Sequence, residues 1–323
     1  MVSIIVPMKN AMPFLPRTLH SLLSQTYPEI EVLVVDDHST DRSVDYARSI
    51  RDPRLRILAN QGHGCTSGFN TALSVARGEI LMKCDADDWY PVDRVANQVE
   101  WLTHHPEIGA VSGYMSFVWT DGTPIVDVTR GETEPIRIND ELAVGIVRST
   151  HCAMAYRTAV VRAVGGMRDW FRTCADIDFL IRISEKCDVW HVNQHAYVAR
   201  LHNRSITRTT KWAIVEWYLA QACRFHQQRM EEGKDDLQRG VPPTPPSNTQ
   251  EGTLKTARMV AAGLLIGQAW RELECGDLRA AILYALRCVP YQPAIWNSWR
   301  TCVGVLLKAG LRFAGLRPGQ DGV

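Results

Sequence analysis

Nowhere in the 323 residues is there an uninterrupted apolar run of about eighteen, the least a membrane-spanning helix requires. The best stretches, Ala257 to Ala269 and Cys302 to Leu316, are short or broken by Lys308 and Arg312. They read as core helices, with the basic flank Lys308, Arg312 and Arg317 leaving peripheral contact at the inner face of a membrane open. A dominant charge is missing too. Lys plus Arg total 36 against 35 for Asp plus Glu, which gives no uniform field for nucleic acid, so an anionic ligand must be gripped locally. The nine cysteines lie singly, without a Cys-x-x-Cys or Cys/His spacing that would seat zinc or set a disulfide framework. They read as reduced, buried thiols of a cytoplasmic protein. The chain also lacks Gly-x-Gly-x-x-Gly and Gly-x-x-x-x-Gly-Lys-Ser/Thr, which argues against a dinucleotide site and a P-loop. Its first residues, Val2 to Val6, are β-branched and carry no secretion signal, so the fold is read as starting at once.

What is present is a βαβ rhythm. Val2 to Val6 predicts a first strand, and Leu15, Leu19, Leu22 and Leu23 share a helical face that stops at Tyr27-Pro28. Glu31 to Val35 predicts a second strand, Ser39 to Asp41 the start of a helix, Leu55 to Leu58 a third strand, Thr66 to Ala76 a helix and Glu79 to Lys83 a fourth strand. Strands and a turn at Asp121-Gly122 follow, then helical periodicity from Asp178 to Glu185 and two short segments near Val189 and Tyr197. The pattern divides into a domain over 1–208, a connecting amphipathic helix over 209–232, a proline-rich exposed linker over 233–252 and a helical region over 253–323. Gly276 to Ala281, with Ala285 and Pro290, is similar to one tetratricopeptide-like hairpin, a lone unit that a plain helical bundle explains equally well.

Two acidic clusters carry the chemistry. Asp85-Ala86-Asp87-Asp88 follows the fourth strand, where open α/β sheets bind ligands. Three carboxylates in four residues repel one another unless solvated or shared with a cation; hard oxygen donors suit Mg²⁺ or Mn²⁺, which commonly bridge to a diphosphate. Asp36-Asp37-His38-Ser39 follows the second strand, where a carboxylate accepts from a nucleotide base or ribose, or caps the next helix.

The order of the pieces, Val2 to Asn10, Ser24 to Pro28, Glu31 to Asp41, Gly78-Glu79 and Asp85 to Asp88, resembles the inverting family 2 glycosyltransferases. The likeness continues through Val164 to Arg168 and Asp176 to Asp178, and fades after about residue 208. It implies a GT-A (Rossmann-like) mixed sheet flanked by helices, followed here by an all-helical extension. It also implies transfer of a sugar from a nucleoside diphosphate, UDP by default, to a glycan, lipid-linked or protein hydroxyl, with Mn²⁺ or Mg²⁺. By position, Pro7 lies beside the base, Asp37 accepts from it, Asn10 belongs to the nucleotide- or donor-binding set, and Asn70 flanks the nucleotide. Asp85 sits near the ribose and metal, Asp87 coordinates the metal, and His202 is a further ligand. Asp176 is the general base, and His151 lies on the acceptor side. Phe69 stands where many members have arginine and Ala175 where glutamate is usual, which keeps open a noncatalytic member that binds glycan or serves as a scaffold. A nucleotidyltransferase of the same fold is disfavoured by Pro7 to Asn10, which offers no glycine-rich loop.

Overall fold

The computed structural model describes residues 1–129, 134–202, 212–245, 256–291 and 303–308, in two compact units. The first unit takes 1–115, 134–199 and 210–253; the second takes 116–133, 200–209 and 254–323.

The first unit is built on a mixed sheet. Strands β1 (Val2–Met8), β2 (Ile30–Asp36), β3 (Leu55–Ala59) and β4 (Ile80–Lys83) run parallel in the order β3-β2-β1-β4. The order continues through β8 (Met154–Arg157), β5 (Ala110–Trp119), β9 (Val189–Leu201) and β7 (Ile136–Arg137); β8 is antiparallel to both β4 and β5. The central strands are buried on both faces, hence their Val-, Ile- and Leu-rich runs, broken only by polar groups such as Ser3 and Glu31 that are themselves hydrogen-bonded. Around them lie α1 (Leu15–Leu23), α2 (Ser43–Ser49), α3 (Gly64–Val75), α4 (Arg94–His104), α5 (Asn139–Ala143), α6 (Thr158–Ala163), α7 (Ala175–Ser184) and α8 (Trp212–Glu232). Tyr218, Ala222 and Phe225 of α8 join the same core as Phe69, Tyr156 and Phe179. This helix is therefore part of the first unit's packing rather than a bare connector.

Three further expectations change. The two short segments near Val189 and Tyr197 are one thirteen-residue strand, β9. The stretch after α8 is not a loose linker at its start: Asp235 is fully buried between Arg168 (2.8 Å) and Arg229, an ion-paired anchor that composition does not reveal. Residues 241–245 are largely exposed, as expected of prolines without a sheet or helix to join, and 246–252 lie outside the described residues. Nor are all thiols buried, since Cys275 is exposed.

One buried polar group holds the sheet's lower edge. Glu31 accepts from Ser3 Oγ (2.7 Å), Arg56 Nη1 (2.9 Å) and the Arg77 amide (2.7 Å), while Ser3 Oγ accepts from the Gly78 amide. A side chain at Gly78 would meet the Ser3 backbone at 2.4 Å, so only glycine fits. Burial pushes the Glu31 carboxyl up, but these donors outweigh it and hold it below its ordinary value. The stability it contributes is therefore present above the ordinary glutamate pKa and lost as pH falls through the lowered one. Glu31→Gln is expected to cost about 1.5–3 kcal/mol at pH 7 by urea unfolding. That gap should narrow in acid.

The second unit begins with the outer part of β5, from Ser116, which turns at Asp121-Gly122 into β6 (Pro124–Val128). Helices α9 (Ala257–Cys275) and α10 (Leu278–Cys288) form a hairpin. Gly276 closes α9 at φ 91°, and Asp277 caps α10 by accepting from the Ala280 amide (2.9 Å). Ala261, Leu265 and Ala269 pack with Ile125, Val126, Ala281 and Ala285. Among the described residues no helix is long and apolar enough to cross a membrane. Arg312 and Arg317 lie outside the described residues.

Candidate active site

The parallel strands deliver the acidic clusters to one end of the sheet. In register, Met8 of β1 lies beside Asp36 of β2, and Ile5 beside Lys83 of β4, so Pro7, Asp37 and Asp85 all leave carboxyl ends of adjacent strands. The first of these carboxylates is Asp37, which accepts from Asn60 Nδ2 (2.9 Å), Lys9 Nζ (3.2 Å) and the Gly64 amide. Burial pushes its carboxyl up; those three donors prevail and hold it below the ordinary aspartate value. Pro7 packs toward Gly68, where an added side chain would stand 3.3 Å from its ring.

The loop after β4 is held from several sides. The Asp88 amide donates to the Asp85 carbonyl (3.2 Å), and Thr18 Oγ1 donates to the Asp88 carbonyl (2.6 Å). Tyr197 Oη accepts from the Asp85 amide (3.0 Å) and donates to Asp88 Oδ2 (2.8 Å). Asp88 thus supports the loop, while Asp85 and Asp87 are part-exposed. Two hard carboxylates, two residues apart on a braced loop, fit Mg²⁺ or Mn²⁺.

Beneath them lies a group that sequence reasoning misses. Lys83, buried at the end of β4, is ion-paired with Asp85 and donates to Cys152 Sγ (3.2 Å). Burial pushes its ammonium down, but the charge of Asp85 and the neighbouring thiols outweigh it, so the lysine stays protonated well above its usual range. A signal exists: a lysine in the otherwise apolar run Ile80 to Lys83 is out of place in a buried strand. Burial raises the Cys152 thiol and, with the charge of Lys83, lowers His151 well below its usual value, leaving the ammonium as the cluster's cation.

Asp176 meets this cluster from α7. It is not the helix cap, which is Cys174 at φ 58°, but lies in the first turn. Burial raises its carboxyl above the ordinary aspartate value, with Lys83 opposing and Asp85 reinforcing the shift. Its neighbour Asp178 serves the packing instead, fully buried against Arg182 (2.8 Å) with Arg168 at 3.5 Å.

The remaining candidates are disposed as follows. Asn10 Oδ1 accepts from the Thr40 and Asp41 amides (2.7 and 3.2 Å), and its own amide donates to Ser39 Oγ; the side chain shapes the turn before α2. Ser39 does not cap that helix, which starts at Ser43. Asn70 is bound at both ends to Met167, donating to its carbonyl (2.7 Å) and accepting from its amide (3.0 Å), so its carboxamide fastens α3 to the loop before α7. His151 is buried against Phe69 and Phe179, with Nδ1 2.6 Å from Tyr156 Oη. Its Nε2 has no hydrogen-bond partner among the described residues. Phe69 itself is core. His202 follows the last residue of β9 and belongs to the second unit.

Comparison with known proteins agrees with this architecture. The chain is 26% identical to a hyaluronan synthase of Pasteurella multocida over 215 residues, which cover 64% of this chain and 21% of that protein. It is 32% identical over 115 residues to the Escherichia coli UDP-Glc:alpha-D-GlcNAc-diphosphoundecaprenol beta-1,3-glucosyltransferase WfaP, covering 35% and 46%. The chain thus spans about a fifth to a half of these relatives' lengths. Among solved structures, S. aureus TarS 1–349 in complex with UDP-GlcNAc superposes with a TM-score of 0.61 at 15% identity, covering 100% of this chain and 94% of that one. The mannosyltransferase PcManGT from Pyrobaculum calidifontis, in complex with GDP-Man and Mn²⁺, gives 0.53 at 21% identity, covering 96% and 86%. These likenesses show the fold, a mixed sheet with flanking helices, which is the one the sequence resemblance implied. The family profile itself, Glycosyl transferase family 2, matches residues 3–165, half of the chain and the strand ends that carry Pro7, Asp37 and Asp85, and to that family this chain belongs.

Proposed function

We propose that the site moves a sugar from a nucleoside diphosphate to an acceptor hydroxyl with inversion at the anomeric carbon, in the assembly of a glycan or polysaccharide. The observation that carries the reading is Asp176, a half-buried carboxylate in the first turn of α7, raised above the ordinary aspartate range by desolvation and coupled electrostatically to Lys83 and Asp85. A carboxylate in that condition is a better proton acceptor than a solvated one. Asp176 takes the acceptor's proton as its oxygen attacks from the face opposite the diphosphate. Asp37, braced by Lys9 and Asn60, receives the base, with Pro7, Asn10 and Asn70 shaping that end of the pocket. Asp85 and Asp87 would hold a divalent cation, Mn²⁺ or Mg²⁺, which would supply charge stabilisation to the leaving diphosphate. UDP is the favoured nucleotide: the TarS complex holds UDP-GlcNAc and WfaP is named for UDP-Glc, whereas the PcManGT complex holds GDP-Man. His151 supports the acceptor side from beneath, through Phe69 and Tyr156. The helical second unit and its basic flank are assigned to acceptor or inner-membrane-face contact, in the cytoplasm.

The test is release of free nucleoside diphosphate from a panel of UDP- and GDP-sugars, with and without Mn²⁺. Asp87→Ala is expected to lower kcat at least about 100-fold, as loss of several kcal/mol of charge stabilisation implies. Near-normal turnover of that variant with chelator present would sink the metal-dependent mechanism. Absence of both turnover and nucleotide-sugar thermal stabilisation in the wild type would favour a glycan-binding scaffold instead.

A further inference from the structure

Beside the base pocket, and apart from the Asp85-Asp87 pair, three potential metal ligands converge from two loops. Asp37 and His38 follow β2, and His63 immediately precedes α3. One ligand atom from each lies within 4.8 Å of the others. The imidazole rings face each other with centroids 5.0 Å apart and planes inclined at 42°.

Two observations indicate that the convergence is built rather than accidental. His38 holds φ 57°, a left-handed backbone that a residue with a side chain adopts only against a steric penalty. That conformation accompanies the ring's approach to His63. Meanwhile His63 sits at the N-cap position of α3 without using its side chain as a cap, and among the described residues neither imidazole makes a hydrogen bond. Both nitrogen donors are therefore available. On the third ligand, Asn60 holds Asp37 Oδ1, while Oδ2 is approached by Lys9 Nζ, whose side chain is 58% exposed and free to swing into solvent. A position already occupied by a cationic head is one where positive charge is favoured.

From these observations we propose a second cation site, formed by Asp37, His38 and His63 and selective for zinc-like borderline metals over Mg²⁺. Two imidazoles and one carboxylate make the donor set of such metals, leaving a fourth position for water. Ligand atoms in a tetrahedral zinc site stand roughly 3.3 Å apart when the bonds are about 2.0 Å long, so exposed side chains close the gap from 4.8 Å by small rotations. The assignment stands on ligand geometry, and because Asp37 is shared with the proposed base contact it is tested without nucleotide, so that its failure and that of the transferase reading are distinguishable.

The full chain is titrated with ZnCl₂ in nucleotide-free buffer by calorimetry, and with Co²⁺ for its d–d absorbance. His38→Gly, which keeps the left-handed backbone accessible, and His63→Ala are compared singly and together, with thermal melts confirming that each folds. The expected result is one zinc equivalent in the wild type that the double variant lacks, a loss of affinity of at least about tenfold in each single variant, and no displacement by equimolar Mg²⁺. Zinc held by the cysteines is common to all the proteins and cancels in the comparison. An isotherm unchanged in the folded double variant, or zinc displaced by equimolar Mg²⁺, overturns the site.

Discussion

Asp176→Asn is expected to cut turnover by about 10²–10⁴-fold, the usual contribution of a positioned general base, while making the metal-free protein more resistant to heat at pH 7. Both outcomes come from one fact: burial raises this carboxyl, so the folded state prefers it protonated. A raised pKa contributes stability that is complete below the unfolded value near 4 and disappears as pH rises through the folded one. At neutral pH the ionised wild type has therefore lost that contribution, whereas the neutral amide has nothing to lose. The stability difference should shrink as pH falls toward the ordinary aspartate range. In parallel, wild-type kcat/KM should fall on acidification at a pH above that range, since this quantity reports groups of the free enzyme. An Asn variant that is inactive and markedly less stable at pH 7 would mean that Asp176 is structural.

Asp178→Ala, two residues further along α7, should behave in the opposite way. Asp178 is fully buried and ion-paired with Arg182, itself almost fully buried, while Arg182 also donates to the Val164 and Gly166 carbonyls and Arg168 bridges to Asp235. Removing the carboxylate leaves a desolvated guanidinium without its counter-charge, a loss of about 3–5 kcal/mol. The denaturation midpoint should fall sharply. At temperatures where the variant is still folded, KM for the donor should change little, because none of these contacts reaches Asp37 or Asp85. Two aspartates on one helical turn thus separate cleanly, one by activity and the other by stability.

How much of this can be read from the chain follows from the range over which each signal acts. Strands β1 and β2 are legible from their β-branched runs, and the acidic residues that follow β2 and β4 set a local exception against an apolar strand. Asp37, Asp85 and Asp87 therefore sit where the pattern puts them, at strand ends. Lys83 escapes such a reading, because a single lysine reads as surface until its partner Asp85 is known to be folded back over it. Asn60 and Tyr197 are invisible for a stronger reason: they act 23 and 112 residues away, on Asp37 and on the Asp85 amide. Helix α4 goes unforeseen, its apolar face being interrupted by the buried Arg94 and Gln98, which bond to each other and to the Met154 and Ala153 carbonyls. The boundary at 208 follows composition, whereas packing follows space: α8 contributes Tyr218 and Phe225 to the first core, and residues from Ser116 onward cluster with the C-terminal helices.

The lysine beneath the acidic loop has a consequence for the catalytic cycle. Its ammonium is covalently part of β4, so the aspartate above it never faces its acidic neighbours without a counter-ion, whatever enters or departs with the nucleotide. Under the proposed mechanism, release of a spent diphosphate and its cation would leave Asp85 still paired and the loop still braced through Thr18 and Tyr197, so the next donor would meet a preformed receptor instead of a segment that must first order itself.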